Sequence, residues 1–421
     1  MHKLKYGNST RTVELPQHIE WQVLNKDVPF SFPPEREVVD QAIASLIQQL
    51  KQRTEKPDDI LLVVPDHTRK CNLPIMLPPL ISALQTHLSA AVEILIANGS
   101  HVVQPDAVIE ELLSPDIYRT VPHTQHDSKD DSQLEYLGTT QFGTEIRLNR
   151  KVMQADLVIT VGGILYHYFA GFGGGPKMLL PGVAGYETIR QNHSRTIDPD
   201  TGTFHPFCSD GNITTNPVYV DLVEVMDVVK QVISLQVVLS PEQRIVYAAA
   251  GPVVETQRQL IPKVEELYSV PLSHQADVVI ASAGGFPSDV NLIQSHKSLH
   301  HAFQAVKPGG VILLLAECRD GVGSSTFLPN FEYASTTDMG KALLDFFVIN
   351  GQTALTLAEK AQQSHILFVS SLPTEIVNKT GMLGVKSIDE AFSNAAPLWQ
   401  NAKTGYLFPN ANTFIPKPLE F

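Results

Sequence analysis

Cysteine is scarce in this chain: three residues in 421, at Cys71, Cys208 and Cys318, far apart and with no Cys-x-x-Cys pair. That excludes a disulfide framework and a thiolate zinc site. Basic residues are also few. Lys plus Arg is 31 against 44 for Asp plus Glu, a formal net charge of −13. Nucleic-acid binding needs clustered cations to neutralise phosphates, so it is not expected. No run of 18 apolar residues is present, so no membrane-spanning helix is expected. The opening residues, Met1–Gly7, lack the apolar segment of a secretory signal, and a soluble cytoplasmic protein is the simplest expectation. Two nucleotide-binding patterns are missing as well: neither GxGxxG nor GxxxxGK[ST] occurs after a strand-like run. What is abundant is apolar residue, 43% of the chain, enough to build large cores. At roughly 150 residues per domain the length fits two domains.

Short apolar runs rich in Val, Ile and Leu stand at Ile60–Val64, Val92–Ala97, Leu157–Val161, Val278–Ala281, Val311–Ala316 and Ile366–Val369. They read as strands covered on both faces. Helical spacing fills segments between them, as at Val38–Gln52, Leu77–Leu88 and Ala354–Gln363. The alternation predicts an α/β fold: two domains with mainly parallel sheets flanked by helices and the active site in the cleft between them. The expected domains are residues 1–268 and 269–404, with the tail 405–421 packing back on the first. The stretches starting Ala155-Asp156-Leu157 and Ala276-Asp277-Val278 resemble each other. They read either as a sign of duplication or as the common look of a strand entering a glycine turn. The 29 prolines are scattered and mark loops.

In open α/β sheets, ligands bind outside the carboxyl ends of strands. Four such ends here are rich in polar residues: Asp66-His67-Thr68-Arg69, Asn98-Gly99-Ser100-His101, Gly162 to Lys177, and Ser282 to Asp289 followed by Gln294 and Lys297. One polar end is ordinary, and Asp66 and Thr68 alone would suit a turn. Four together point to one site. Arg69 offers a planar fork for a carboxylate or phosphate. An unperturbed imidazole titrates near neutral pH, so two histidines such as His101 and His167 suit paired acid and base roles. Gly171–Lys177 packs four glycines and a lysine into seven residues. It reads as a tight turn or as a loop whose N–H groups approach a phosphate. Lys177 then serves as a point charge or a nucleophile. His193, sixteen residues on, ligates a soft metal only if a cofactor supplies the other donors.

This set resembles the nickel-dependent lactate racemase family. It comprises Asp66-His67-Thr68-Arg69, Gly99-Ser100-His101, His167, Gly173-Gly174-Gly175-Pro176-Lys177-x-x-Leu180-Pro181-Gly182, His193, and Gly284-Gly285-x-Pro287-x-Asp289 with Gln294 and Lys297. The resemblance covers roughly residues 60–300 by motif. It implies a racemase or epimerase of a 2-hydroxy acid that works by reversible hydride transfer through a 2-keto acid. The implied cofactor is a nickel-pincer nucleotide, pyridinium-3-thioamide-5-thiocarboxylic acid mononucleotide carrying nickel. Lys177 would be its covalent anchor and His193 its nickel ligand, with Asp66, Thr68, Gly173, Gly174 and Gly175 completing the cofactor site. His101 and His167 would be the catalytic acid–base pair. Arg69, Gln294 and Lys297 would bind the substrate carboxylate. Other enzymes install this cofactor, so they are implied as transient partners, and a recombinant sample can lack it.

Two departures bear on substrate. Ile293 stands where the family often has an aromatic residue. The tryptophans, Trp21 and Trp399, do not stand where the family's pocket tryptophan should be. A substrate larger or more apolar than lactate is the expectation. The alternatives are a binding module for a nucleotide or carboxylate without chemistry, or a nicotinamide-dependent 2-hydroxy acid dehydrogenase. The second is disfavoured by the missing GxGxxG. The first has no use for three histidines.

Overall fold

A computed structural model of the chain describes residues 1–26, 31–69, 71–229 and 231–419. Twelve of its strands build two six-stranded sheets. In chain order they are β1 (Glu20–Val23), β2 (Asp59–Pro65), β3 (Ala91–Ala97), β4 (His123–Gln125), β5 (Leu157–Gly163) and β6 (Val232–Leu239). There follow β7 (Ile245–Gly251), β8 (Ala276–Ser282), β9 (Val306–Leu315), β10 (His365–Val369), β11 (Leu383–Val385) and β12 (Thr404–Phe408). Each expected apolar run lies on one of these strands, with Ala316 alone falling one residue past the end of β9. The mixed α/β architecture with mainly parallel sheets is as expected.

The chain divides into two compact units. One comprises Pro29–Thr196 and Pro206–Leu267, the other Met1–Val28, Ile197–His205 and Tyr268–Phe421. The first unit holds a sheet ordered β7-β6-β5-β2-β3-β4. Its strands are parallel except for β7, which pairs antiparallel with β6 at the edge. The chain runs β2 to β3 to β4 outward, then returns to the other side of β2 with β5. This reversal is the topological switch point of a doubly wound sheet, where strand ends splay into a crevice. Alternate residues of the central strands, Ile60, Leu62 and Val64 with Ile94, Ile96, Leu157, Ile159 and Val161, face one core. Helix Glu35–Lys51 completes that core with Val39, Ala42, Ile43, Leu46, Ile47 and Leu50, a spacing of three and four that makes one helical face.

The second unit holds an all-parallel sheet ordered β11-β10-β9-β8-β12-β1. Here the reversal falls between β8 and β12. The helix Leu292–Ala305 follows β8 and leads into β9. This unit takes in three segments that the expected division gave to the first: Met1–Val28, Ile197–His205 and the tail. The tail, expected on residues 1–268, instead supplies β12 beside β8, and Ile415–Pro418 pairs parallel with Ser269–Leu272. The N-terminus supplies β1 at the edge of the same sheet. Both segments are too short to bury an apolar face alone, so pairing with a distant strand decides where they go. Both tryptophans pack within this unit: Trp21 on β1 donates to the Pro16 carbonyl at 3.0 Å, and Trp399 is buried against Phe392. Among the described residues no helix is long and apolar enough to cross a membrane.

Candidate active site

The loops leaving β2, β3 and β5 sit at the switch point of the first sheet, and they carry most of the residues singled out above. Asp66 follows β2 and is buried. Its Oδ1 accepts the Thr68 N–H at 3.1 Å and the Thr68 hydroxyl at 2.7 Å, and its Oδ2 meets His101 Nδ1 at 2.6 Å. Burial pushes this carboxyl's pKa up, but the His101 and Thr68 hydrogen bonds and the nearby Arg69 outweigh it and hold the carboxyl below its usual range. An ionised Asp66 only accepts, so His101 Nδ1 carries the proton and Nε2 is left as the exchangeable position. The resemblance placed Asp66 and Thr68 in the cofactor site. In the structure Thr68 bonds to Asp66, and Asp66 in turn orients His101. Arg69 is exposed on the same turn.

The stretch after β5 forms a small hairpin, Tyr166–His167 against Gly171–Phe172. Two residues past His167 stands Phe169, a buried ring that no sequence argument singled out. Three of the named residues surround it. The His167 ring lies edge-on at 4.4 Å between centroids, the His193 ring at 5.0 Å, and Lys177 Nζ is 5.0 Å from the Phe169 centroid. Its only signal was its place in the aromatic run Tyr166-His167-Tyr168-Phe169.

Lys177 follows the glycine loop on a short turn, Gly175–Met178. Burial, then the Arg69 guanidinium, pull its pKa down to about 7. A large share of the amine is therefore unprotonated at neutral pH, as a nucleophilic lysine requires. His193 is buried on helix Tyr186–Ser194. Burial and the neighbouring Lys177 ammonium lower its pKa to about 3, with the Ile189 carbonyl working in the opposite direction. The imidazole is thus neutral, the form that ligates metals, and its buried Nδ1 makes no hydrogen bond. The helix is pinned by its preceding residue: Asn192 Nδ2 donates to the buried Asp221 carboxylate at 2.9 Å, which also accepts from Thr140 and Thr144.

The glycine loop differs from a row of free N–H groups. The Gly173 N–H donates to the Leu165 carbonyl at 2.7 Å, and the Gly175 N–H to Gln236 Oε1 at 3.2 Å. These two amides are used within the protein, so the glycines serve close packing and a positive φ. Gly174 has φ +66°, and a Cβ there would stand 2.6 Å from the Gly163 carbonyl oxygen.

In the second unit, Asn291 caps helix Leu292–Ala305 by accepting the Gln294 N–H at 2.9 Å. Lys297 Nζ donates to Gln294 Oε1 at 2.8 Å, joining an amide and a cation one turn apart on the helix. Ile293 is partly buried on the same turn.

Comparison with known proteins adds the following. Family models of the lactate racemase N-terminal and C-terminal domains match residues 6–203 and 272–412. The lactate racemase of Lactiplantibacillus plantarum is 30% identical over 375 residues, 86% of each chain. The lactate racemase of Thermoanaerobacterium thermosaccharolyticum is 31% identical over 330 residues, 77% of this chain and 76% of that one. The structure of the lactate racemase apoprotein from Thermoanaerobacterium thermosaccharolyticum superposes with a TM-score of 0.87 at 28% identity, over 99% of both chains. A Thermotoga maritima protein, 15% identical with a TM-score of 0.68 over 93% of this chain and 100% of that one, shares the fold.

Proposed function

This chain belongs to the lactate racemase family, a family of isomerases, and from that premise we propose that it interconverts the enantiomers of a 2-hydroxy acid with the help of a nickel-pincer nucleotide. The observation that carries the reading is the grouping around Phe169: a buried, neutral imidazole with an unbonded nitrogen, and a withdrawn amine with a pKa of about 7. These residues fit the group. The Lys177 amine suits a covalent thioamide anchor, and His193 suits the imidazole position of a square-planar Ni(II) whose other donors are sulfur and carbon. When bound, the group supplies reversible acceptance of a hydride from the substrate's C2.

The protein's own residues do the rest. His101 Nε2 exchanges the hydroxyl proton, with the tautomer set by Asp66. His167 is the matching base for the opposite enantiomer, since a racemase must serve both hands. Arg69 offers a bidentate fork to the carboxylate. Gln294 and Lys297 offer an amide and a cation for the same class of group. The aliphatic Ile293 favours a 2-hydroxy acid larger or more apolar than lactate. The enzymes that make the cofactor are its implied transient partners.

The test is a chiral chromatographic assay of cofactor-loaded protein on single enantiomers of lactate and of larger 2-hydroxy acids. Each enantiomer should drift toward an equal mixture, the larger acids faster, with no nicotinamide absorbance change. No interconversion under conditions where a lactate racemase works would overturn the reading. Equal turnover of lactate and the larger acids would overturn the substrate preference.

A further inference from the structure

Two glutamines lie where an apolar pattern has no use for them. Gln236 is in the middle of β6, within Ser234-Leu235-Gln236-Val237-Val238, and Gln257 is on helix Val253–Tyr268. Both are fully buried. A buried amide left without partners is costly, so such residues persist where their bonds are made. Here both converge on one short segment. Gln236 Oε1 accepts the Gly175 N–H at 3.2 Å, while its Nε2 donates to the Thr160 carbonyl at 3.4 Å. Gln257 Nε2 donates to the Gly173 carbonyl at 3.3 Å. Behind it the buried Tyr219 hydroxyl donates to Gln257 Oε1 at 2.6 Å. Burial pushes the Tyr219 pKa up to about 12, so that hydroxyl keeps its proton at neutral pH.

The loop is shaped to these amides. Gly174 and Gly175 adopt φ of +66° and +53°. A Cβ on Gly174 would come within 2.9 Å of Gln236 Oε1, and one on Gly175 within 2.7 Å of the Gln257 side chain. Only glycine lets the loop lie against both glutamines. Two residues further on is Lys177, whose N–H closes back onto the Gly174 carbonyl at 3.1 Å. The glutamine bonds therefore fix the segment from which the lysine side chain departs.

We propose that Gln236 and Gln257, with Tyr219 supporting Gln257, are positioning residues for Lys177. They hold Gly173–Gly175 in the conformation that keeps the lysine amine against Phe169 and withdrawn from water. The functional meaning rests on the reading of Lys177 as the cofactor anchor. Neither glutamine is a catalytic residue.

The experiment uses the full-length protein without cofactor and a small amine-acylating ester at pH 7.5. Peptide mass spectrometry gives the labelling rate of Lys177 relative to the exposed Lys56. Gln236→Met and Gln257→Met keep the volume and remove the hydrogen bonds. Each should lower the Lys177 to Lys56 ratio by about fivefold or more, because a hydrated lysine returns toward its ordinary pKa. Gln236→Glu keeps an acceptor for the Gly175 N–H and should recover much of the ratio, which a simple loss of stability would not do. If the methionine variants fail to fold, Tyr219→Phe removes only the outer bond and should lower the ratio about twofold. An unchanged or higher ratio in the folded variants overturns the proposal. The anchor reading fails separately: the parent would label normally at Lys177 yet take up no adduct from the cofactor-making enzymes.

Discussion

The two sheets reverse their strand order once each and use the reversal in opposite ways. In the first, the ends of β2, β3 and β5 open into loops carrying Asp66, His101 and Lys177. In the second, the corresponding place beyond β8 is filled by the chain's own N-terminal hairpin, His2–Tyr6 with Ser9–Val13. The Ser282 hydroxyl donates to the Lys5 carbonyl at 2.6 Å, and the Phe286 N–H to the Gly7 carbonyl at 2.9 Å. One buried carboxylate oxygen, Asp289 Oδ2, accepts the N–H groups of Gly7 at 2.7 Å and Glu317 at 3.0 Å. Doubly wound topology makes a crevice at each switch point. What occupies it decides whether it becomes a place for chemistry or a docking surface. The carboxylates show the difference. Asp66 orients the His101 imidazole, whereas Asp289 gathers backbone N–H groups.

Substitutions can break this contrast. The largest effect is expected from His101→Ala in the first crevice. Turnover of cofactor-loaded protein should fall about 10²–10⁴-fold, the usual contribution of a general acid or base, with thermal stability nearly unchanged. Asp289→Ala in the second crevice should do the reverse. Two N–H groups lose their acceptor, so chemical denaturation should show a loss of about 2–3 kcal/mol, with the labelling of Lys177 unaltered. Asp66→Asn should lie between the two kinds. The amide accepts or donates, the tautomer of His101 is no longer set, and turnover should fall on the order of 10- to 100-fold, in kcat more than KM. A large loss of stability in that variant would place Asp66 with Asp289 instead.

The smallest effect concerns pH and Asp277, at the start of β8. Its carboxylate accepts from Lys307 Nζ at 2.6 Å and from the N–H groups of Lys403 and Thr404 at 2.8 and 2.9 Å. Burial alone would raise its pKa, but these bonds hold it well below the usual carboxylate range. The folded pKa lies below the unfolded value of about 3.9. The stabilisation is therefore present above pH ~4 and is lost as pH falls through the folded value. For this partly exposed group it should be about 1 kcal/mol. The stability difference between the parent and Asp277→Asn should be constant near neutrality and shrink in acid.

Much of the architecture was legible because parallel strands covered on both faces are unbroken Val, Ile and Leu runs. Six of the twelve strands, β1, β4, β6, β7, β11 and β12, were not among the expected runs, and β1 and β12 show why. Glu20-Trp21-Gln22-Val23 has no apolar run, and Thr404–Phe408 sits in a proline-bearing tail, so only pairing with β8 and with each other makes them strands. The residues of the site were legible as motif, while their arrangement was not. Spacing cannot show that His101, 35 residues from Asp66, returns to it. Phe169 showed only as part of an aromatic run, and Gln236 and Gln257 left no local signal, since one amide has no periodicity and its purpose lies in a distant loop.

The most direct measurement is the intact mass of the protein and of Lys177→Ala after exposure to the enzymes that build the nickel-pincer nucleotide, with a lactate racemase loaded in parallel. An adduct on the parent and none on the variant is the expected result. A parent that stays unmodified while the control loads would contradict the account.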